Sequence, residues 1–405
     1  MIRKLSAVVA VLILLLALPA LLSEALLNAS VQMLIAALFA TSFALLCGQA
    51  GMLSFGHAAY FGLGAFATVH AMNAFGGDGL LPTPLLPLAG AAVGLISGLG
   101  AGYFSTQRTG TYFAMITLAL AELLHALAPH LKGVFGGEAG VSAFRMPAWG
   151  IGFGSTTEVY YLVLGWTVLC IALLWGLTLT PFGRLALGLR ENAHRLKFLG
   201  YNTHALGTFV FALSAGFAGV AGALQALNIE AANYVVLETQ VSTAVLLNTF
   251  IGGAKVFFGP AIGAAAMSFF GYVSSDLTRS WLLYQGVIFM LVMMYLPRGI
   301  VGEIVARLRG EAGPLRPLPL LARAVGIAVA SAGFVAAIEL LQRFFSTDYK
   351  AARQAGGWPP VEFAGHLWAP FAPLTWVVPV GLTLAGLGLV AIVNRREARR
   401  QEARA

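Results

Sequence analysis

Charge is what this chain has least of. Only 10% of its 405 residues are Asp, Glu, Lys or Arg, while 59% are hydrophobic. A soluble domain typically carries about a quarter charged residues, so water is excluded as the solvent for most of this surface. Cysteine is scarce too: Cys47 and Cys170 both sit in apolar runs, and neither a disulfide framework nor a metal site has support. None of the five lysines follows a glycine, so the G-x-x-x-x-G-K-[ST] phosphate loop is missing and ATP is not bound by that motif in this polypeptide. No helix-borne row of arginines is present to sense voltage. Among carboxylates only Glu122 is clearly placed inside a span. An ion-coupled carrier would favour several paired carboxylates near mid-bundle, and an embedded enzyme would need a metal triad or a nucleophile with its base.

What the chain does have is apolar length. A transmembrane helix needs roughly 20 apolar residues to cross a ~30 Å hydrocarbon core. Runs near that length recur at 5–27, 30–48, 52–74, 85–104, 110–130, 158–179, 207–229, 238–254, 256–277 and 281–297, with two more near 319–341 and 373–394. The expected fold is an all-α polytopic membrane bundle, with a ten-segment core over 1–310 and a two-helix C-terminal extension over 311–405. Met1-Ile2-Arg3-Lys4 and the run after it resemble a signal peptide, but the length of that run favours an uncleaved first span. Segment 238–254 is short and polar at its start, so a re-entrant path stays open beside a full crossing. Among 48 glycines, Gly94, Gly98 and Gly102 fall four apart on one predicted helix, and Gly259 and Gly263 on another. Such small residues let helix backbones approach closely in lipid.

With the N-terminus inside and the spans alternating, 18 of the 24 Lys and Arg fall on the inner side and 6 outside, the bias of cytoplasmic loops. Both termini and a polar island at 181–206 then lie in the cytoplasm, and a glycine-rich stretch at 131–157 lies outside. A re-entrant 238–254 would put the basic tail outside, so parity favours a full crossing. The net charge of +8 needs no nucleic acid, because arginines beside anionic headgroups of membrane lipid account for most of it.

Read as a helix from about Arg184 to Leu199, the island carries Arg184, Arg190, Glu191, Arg195 and Lys197 among Leu185, Leu189, Leu196 and Leu199. Glu191 and Arg195 stand four apart, which supports a helix; an amphipathic segment lying on headgroups would read the same way. Its sequence T-P-F-G-R-L-A-L-G-L-R-E-N-A-H-R-L-K-F-L-G-Y-N, Thr180 to Asn202, resembles the cytoplasmic coupling segment of permeases in branched-chain amino acid ABC importers. Phe211-Ala-Leu-Ser-Ala-Gly-Phe-Ala-Gly-Val-Ala-Gly-Ala-Leu224 is similar to that family's small-residue helix. Gly48-Gln-Ala-Gly-Met-Leu-Ser-Phe-Gly-His57, Ile251-Gly-Gly through Phe258-Gly-Pro260, and Leu296-Pro-Arg-Gly-Ile300 resemble its other motifs, in the family's order across roughly 30–305. The spacing looks more like the larger, M-type subunit. Where the family often has an acidic residue and paired alanines after Arg190-Glu191-Asn192, this chain has Ala193-His194-Arg195-Leu196-Lys197, which alters its fit to a particular ATPase. Residues 311–405 lie outside the family core.

The resemblance implies an importer subunit of the bacterial inner membrane, not an enzyme. Its implied partners are two ATP-binding subunits carrying ATP and magnesium, a homologous second permease, and an external binding protein that selects the substrate; this chain would hold no cofactor or metal. In the coupling loop, 180–206, Gly183 would turn the backbone out of the membrane and Arg184, Arg190 and Glu191 would make charged contacts. Asn192 would hydrogen-bond locally and Gly200 would end the helix. Buried polar residues cost free energy in lipid and mark pathways, which singles out Gln49, Ser54, His57, Glu122 and Asn248. His125 follows Glu122 by three, and mutual bonding, pathway lining and proton or metal chemistry all stay open for that pair. His57 reads as a packing or hydrogen-bonding residue before a ligand. Related permeases carry urea, short amides or aromatic acids, and an ion-coupled secondary transporter is the alternative from another class. Segments 2–5 and 7–10 have opposite orientations, as inverted repeats would.

Overall fold

The computed structural model describes residues 2–75, 81–309, 317–363 and 365–402. In chain order its helices are α1 (Ile2–Leu21), α2 (Glu24–Ala44), α3 (Ala58–Phe75), α4 (Pro87–Ser105), α5 (Thr111–Leu127), the short α6 (Lys132–Phe135), α7 (Thr156–Leu179) and α8 (Pro181–Phe198). There follow α9 (Thr203–Ile229), α10 (Thr239–Gly252), α11 (Gly259–Leu277), α12 (Trp281–Tyr295), α13 (Ile300–Leu308), α14 (Pro317–Phe345), α15 (Thr347–Gly356) and α16 (Pro373–Glu402). Among the described residues, seven helical stretches are long and apolar enough to cross a membrane. Helices satisfy their own backbone groups, which lipid cannot do, and an all-α polytopic bundle results.

The chain forms two compact units, one of Met1–Val273 with Gln285–Val305, the other of Ser274–Tyr284 with Ala306–Ala405. A boundary at 310 would leave 274–284 in the first. Those residues group with the second because Thr278 Oγ1 donates to the Glu339 carboxylate on α14, as does Tyr284 Oη at 2.9 Å. In the same unit α14 and α16 cross closely, where a Cβ added at Gly386 would lie 2.5 Å from the Gly326 carbonyl.

Helix α9 is the hub of the first unit, with Val210, Phe211, Leu224 and Leu227 fully buried. The four-residue glycine spacing of α4 faces it. A Cβ added at Gly94 would stand 2.5 Å from the Ala215 carbonyl oxygen, at Gly98 3.1 Å from Ala212 Cα, and at Gly102 3.1 Å from Phe211 Cβ. Gly263 on α11 is likewise tight, with an added Cβ 2.6 Å from the Asn248 carbonyl of α10.

Two departures from the expected spans bear on the site. The run 238–254 is helical only over Thr239–Gly252; 14 residues rise about 21 Å, short of the ~30 Å core, so α10 does not make the full crossing by itself. The run 52–74 becomes helical only at Ala58, and the residues before it form the irregular segment described below.

A short antiparallel pair, β1 (Val141–Ser142) and β2 (Ala231–Ala232), ties the 131–157 stretch to the end of α9. Glu230 holds it from inside: its carboxylate accepts from Arg145 N at 3.0 Å and pairs with Arg145 Nε at 3.1 Å, while Arg145 Nη1 donates to the Leu227 carbonyl at 3.0 Å. Removing the partly exposed carboxylate with Glu230→Ala should cost about 2 kcal/mol. Thermal unfolding in detergent checks the loss, with faster amide exchange expected over 137–146; unchanged exchange there would contradict it.

Candidate functional site

The site begins where α2 fails. Its last residues, Leu45–Gln49, form a π-turn, a distortion that frees helical carbonyls and recurs at functional positions. Gly51 then takes a φ of +71°, left-handed backbone that glycine adopts without penalty, and Met52 N reaches back to the Leu46 carbonyl at 3.1 Å. The irregular residues up to His57 have no helix to satisfy them, so hydroxyls on neighbouring helices do it. Phe55 N donates to Thr117 Oγ1 of α5 at 3.2 Å, and Ala58 N to Ser242 Oγ of α10 at 2.8 Å. Gly56 N donates to Ser54 Oγ at 3.3 Å. Without such partners each N–H would cost several kcal/mol in lipid.

His57 is fully buried, with ring centroids of Phe43, Tyr60 and Phe39 5.4, 5.8 and 5.9 Å away. Ser214 Oγ on α9 donates its single proton to the Ser42 carbonyl at 2.6 Å and lies 3.1 Å from His57 Nε2. Nε2 must therefore be the donor in that contact, which leaves Nδ1 as a buried acceptor without a partner among the described residues.

The sequence-selected pathway residues do not all meet. Ser54 and His57 lie in the break. Gln49 borders a narrow crevice beside Thr41, Thr178, Ala254 and Phe257. Asn248 on α10 is 8% exposed, and its Oδ1 has no partner among the described residues. Glu122 stands apart: Ala121 packs on Gly56, but Glu122, one residue on, has half its side chain exposed and accepts from Thr239 Oγ1. His125 Nδ1 is 4.0 Å from that carboxylate, and its ring lies 5.9 Å from Tyr234. Among the described residues no cluster of metal-ligating side chains exists. Thr117, Ser214 and Ser242 escaped the sequence reading, which weighed amides, histidines, carboxylates and, of the hydroxyls, Ser54 alone; hydroxyls inside apolar runs were the signal for them.

Helix α8 occupies the polar island. Thr180 caps it, accepting from Gly183 N at 3.3 Å, with Pro181 in the first turn, where its missing N–H costs nothing. The chain turns at Thr180 (ψ 164°), not at Gly183. Gly183 is helical, and a Cβ there would lie 2.7 Å from Thr178 Cα; its smallness lets α8 leave α7 abruptly. Nor is α8 one continuous helix. Asn192 is extended (φ −162°, ψ 93°), and its Oδ1 accepts from Arg195 N at 2.9 Å, capping a second piece. Glu191 and Arg195 thus fall on different pieces, and their four-residue spacing is not a helical pair. Leu196 folds back on Gly188, 3.2 Å from the Cβ position. Gly200 (φ +87°) ends the segment, with Gly200 N bonded to Lys197 O and Tyr201 N to Leu196 O, each at 3.0 Å, the pattern of a Schellman cap. Arg184, Glu191, Arg195 and Lys197 are exposed, as is Phe198 at 92%.

Arg190 is exposed as well, but the end of its side chain reaches inward. Its Nη1 donates to the Gly48 carbonyl, and its stem fills the space beside Gly51, where an added Cβ would be 2.7 Å from Arg190 Cγ. Gly48 in turn lies on the Ala254 carbonyl, and a Cβ at Gly253 would stand 2.5 Å from the Arg298 carbonyl. The sequence motifs scattered from 48 to 300 thus converge on one joint, with Ser214 reaching it from α9.

A family profile described as a branched-chain amino acid transport system permease component matches residues 25–297. The chain belongs to this permease family. The LivM high-affinity branched-chain amino acid transport permease of Salmonella typhimurium is 25% identical over 290 residues, covering 66% of this chain and 67% of that protein. Its Escherichia coli K12 namesake is 24% identical over 278 residues, 63% of this chain and 64% of the relative. A probable LivM of Methanocaldococcus jannaschii is 24% identical over 276 residues, 60% of this chain and 78% of that one. The chain therefore spans about two thirds of the length of the two bacterial relatives. No solved structure matches it. The family match covers the joint and α8 and stops before the extension.

A cavity of about 290 Å³ at the far end of α3 is lined by Met72, Phe75, Leu81, Met146 and Trp149 among others. Thr83 Oγ1 in its wall donates its proton to the Met146 carbonyl at 2.6 Å.

Proposed function

We propose that this chain is the membrane-spanning permease subunit of an ABC importer that moves branched-chain or related amino acids across the bacterial inner membrane. The observation that carries the reading is α8: a capped, charged, two-piece helix between two long apolar helices, packed against the motif joint of a permease-family core. A solvated loop needs neither the caps nor the tight exit at Gly183. ATP hydrolysis belongs to two separate ATP-binding subunits with their ATP and magnesium; the chain is a transport subunit and not an enzyme. Their motion displaces α8, and the bundle alternates its opening. A homologous second permease completes the pathway, and an external binding protein delivers the substrate. The positive bias of the loops ahead of α10 supports a cytoplasmic N-terminus, which puts α8 on the ATPase side whichever way the chain after α10 runs. The substrate class rests on the relatives' names. Arg184, Glu191 and the second piece of α8 form the docking face, with Gly183, Asn192 and Gly200 shaping it.

Copurification from native membrane in mild detergent tests this. Wild type should bring two ATP-binding subunits with it. Arg184→Glu/Glu191→Arg, which reverses charges on the exposed face, should weaken their recovery about tenfold, as loss of interfacial charge complementarity does. No ATPase with either protein would overturn the docking role and favour an ion-coupled secondary transporter.

A further inference from the structure

An ordinary arginine on a solvated helix spends its donors on water. Arg190 is exposed as a residue, yet one end of its guanidinium is committed to the protein. It donates to Gly48, in a turn whose carbonyls have left the regular helical ladder. Its stem crosses Gly51, where an alanine would bring Cβ within 2.7 Å of Cγ. Glycine at 51 and arginine at 190 make one fitted contact.

What lies on either side gives the contact a direction. Asn192 breaks α8 just after Arg190, so the first piece ends at the contact and the second carries the exposed Phe198 and Leu199. Beyond Gly48, the irregular segment to His57 is held by hydroxyls on α5 and α10 in place of a helical ladder. Such a segment is where a bundle can yield without unwinding a helix. The Ala254 and Arg298 carbonyls abut the same joint, so α10, α11 and α13 begin or end against it.

We propose that Arg190 is a positioning residue that hands movement of α8 to the break at Gly48–His57, so that the coupling helix drives the broken helix directly as well as through its covalent neighbours α7 and α9. This rests on the transporter reading above. As α8 shifts, the guanidinium carries the Gly48 carbonyl, and the 50–57 segment re-seats against Thr117 and Ser242.

The test is reconstitution of the complete complex, permease with its second permease, ATPases and binding protein, with ATP hydrolysis and leucine uptake measured on the same vesicles. Arg190→Ala should still assemble with the ATPases, and the ATP hydrolysed per leucine imported should rise about tenfold or more, the scale of an ordinary coupling energy. Arg190→Lys, whose ammonium can reach one carbonyl but lacks the planar fork, should restore part of the coupling. Gly51→Ala keeps the arginine and displaces its stem, so it reads the same contact should Arg190→Ala fail to fold, and it should uncouple likewise. Wild-type hydrolysis-to-uptake ratios in these variants would overturn the proposal. So would loss of the ATPases from Arg190→Ala but not from Gly51→Ala, which would make Arg190 a docking residue. A wild-type complex that recruits no ATPase would instead overturn the transporter reading, before any variant is compared.

Discussion

Gly219→Leu should yield no folded permease. Gly219 on α9 sits where three helices cross: a Cβ added at Gly64 of α3 would lie 2.5 Å from its Cα, and one at Gly90 of α4 2.6 Å from its carbonyl. A side chain at 219 would itself meet Gly94 Cα at 3.2 Å as well as the Gly90 backbone. The neighbours are backbone on both sides, so no rotamer change can make room. Overpacking by a methyl typically costs about 1–3 kcal/mol, which sets the expectation for Gly219→Ala. Leucine adds three further carbons to the same crossing and must force α4 from α9. Gly165 and Gly176 on α7 have nothing within 4 Å of an added Cβ, so leucine at either should leave stability unchanged or improve it, since glycine costs a helix about 1 kcal/mol. Size-exclusion profiles and melting in detergent separate the two classes. A monodisperse, cooperatively melting Gly219→Leu would refute this packing.

His57→Ala should destabilise the protein by about 3 kcal/mol, the usual cost of deleting a fully buried ring. The ring contacts Phe39, Phe43 and Tyr60 and donates to Ser214, while Ser214 keeps its bond to the Ser42 carbonyl without it. The loss is mainly a cavity. Melting in detergent gives the stability, and uptake per folded molecule gives the function. An unchanged melting temperature with uptake abolished would mean that the unpartnered Nδ1 serves the substrate, and the packing role would be wrong.

The parts legible in the sequence are those governed by periodicity. Long apolar runs placed the spanning helices, and the spacing of Gly94, Gly98 and Gly102 announced the face that meets α9. The clustered charges from Arg184 to Lys197 marked α8. The break before His57 was hidden because Met52, Leu53 and Phe55 continue the apolar run, and hydropathy does not record which N–H finds a hydroxyl. The short α10 was hidden for a related reason: apolar residues extend past Gly252, although the chain has already turned. The kink at Asn192 interrupts a helical charge pattern without altering its composition. Arg190 read as a charged contact for a partner beside Arg184 and Glu191, and only the fold brings it to a glycine 142 positions away in sequence. Glu122, chosen as the lone intramembrane carboxylate, proved half exposed and paired with Thr239 and His125, because one face of α5 is left uncovered.

The most direct test of the account is leucine uptake into proteoliposomes holding the reconstituted complex, with ATP supplied on the ATPase side and no ion gradient. Uptake should require the external binding protein and ATP hydrolysis, and should stop with a non-hydrolysable ATP analogue. Uptake by this chain alone, driven by a proton or sodium gradient and indifferent to ATP, would contradict the account.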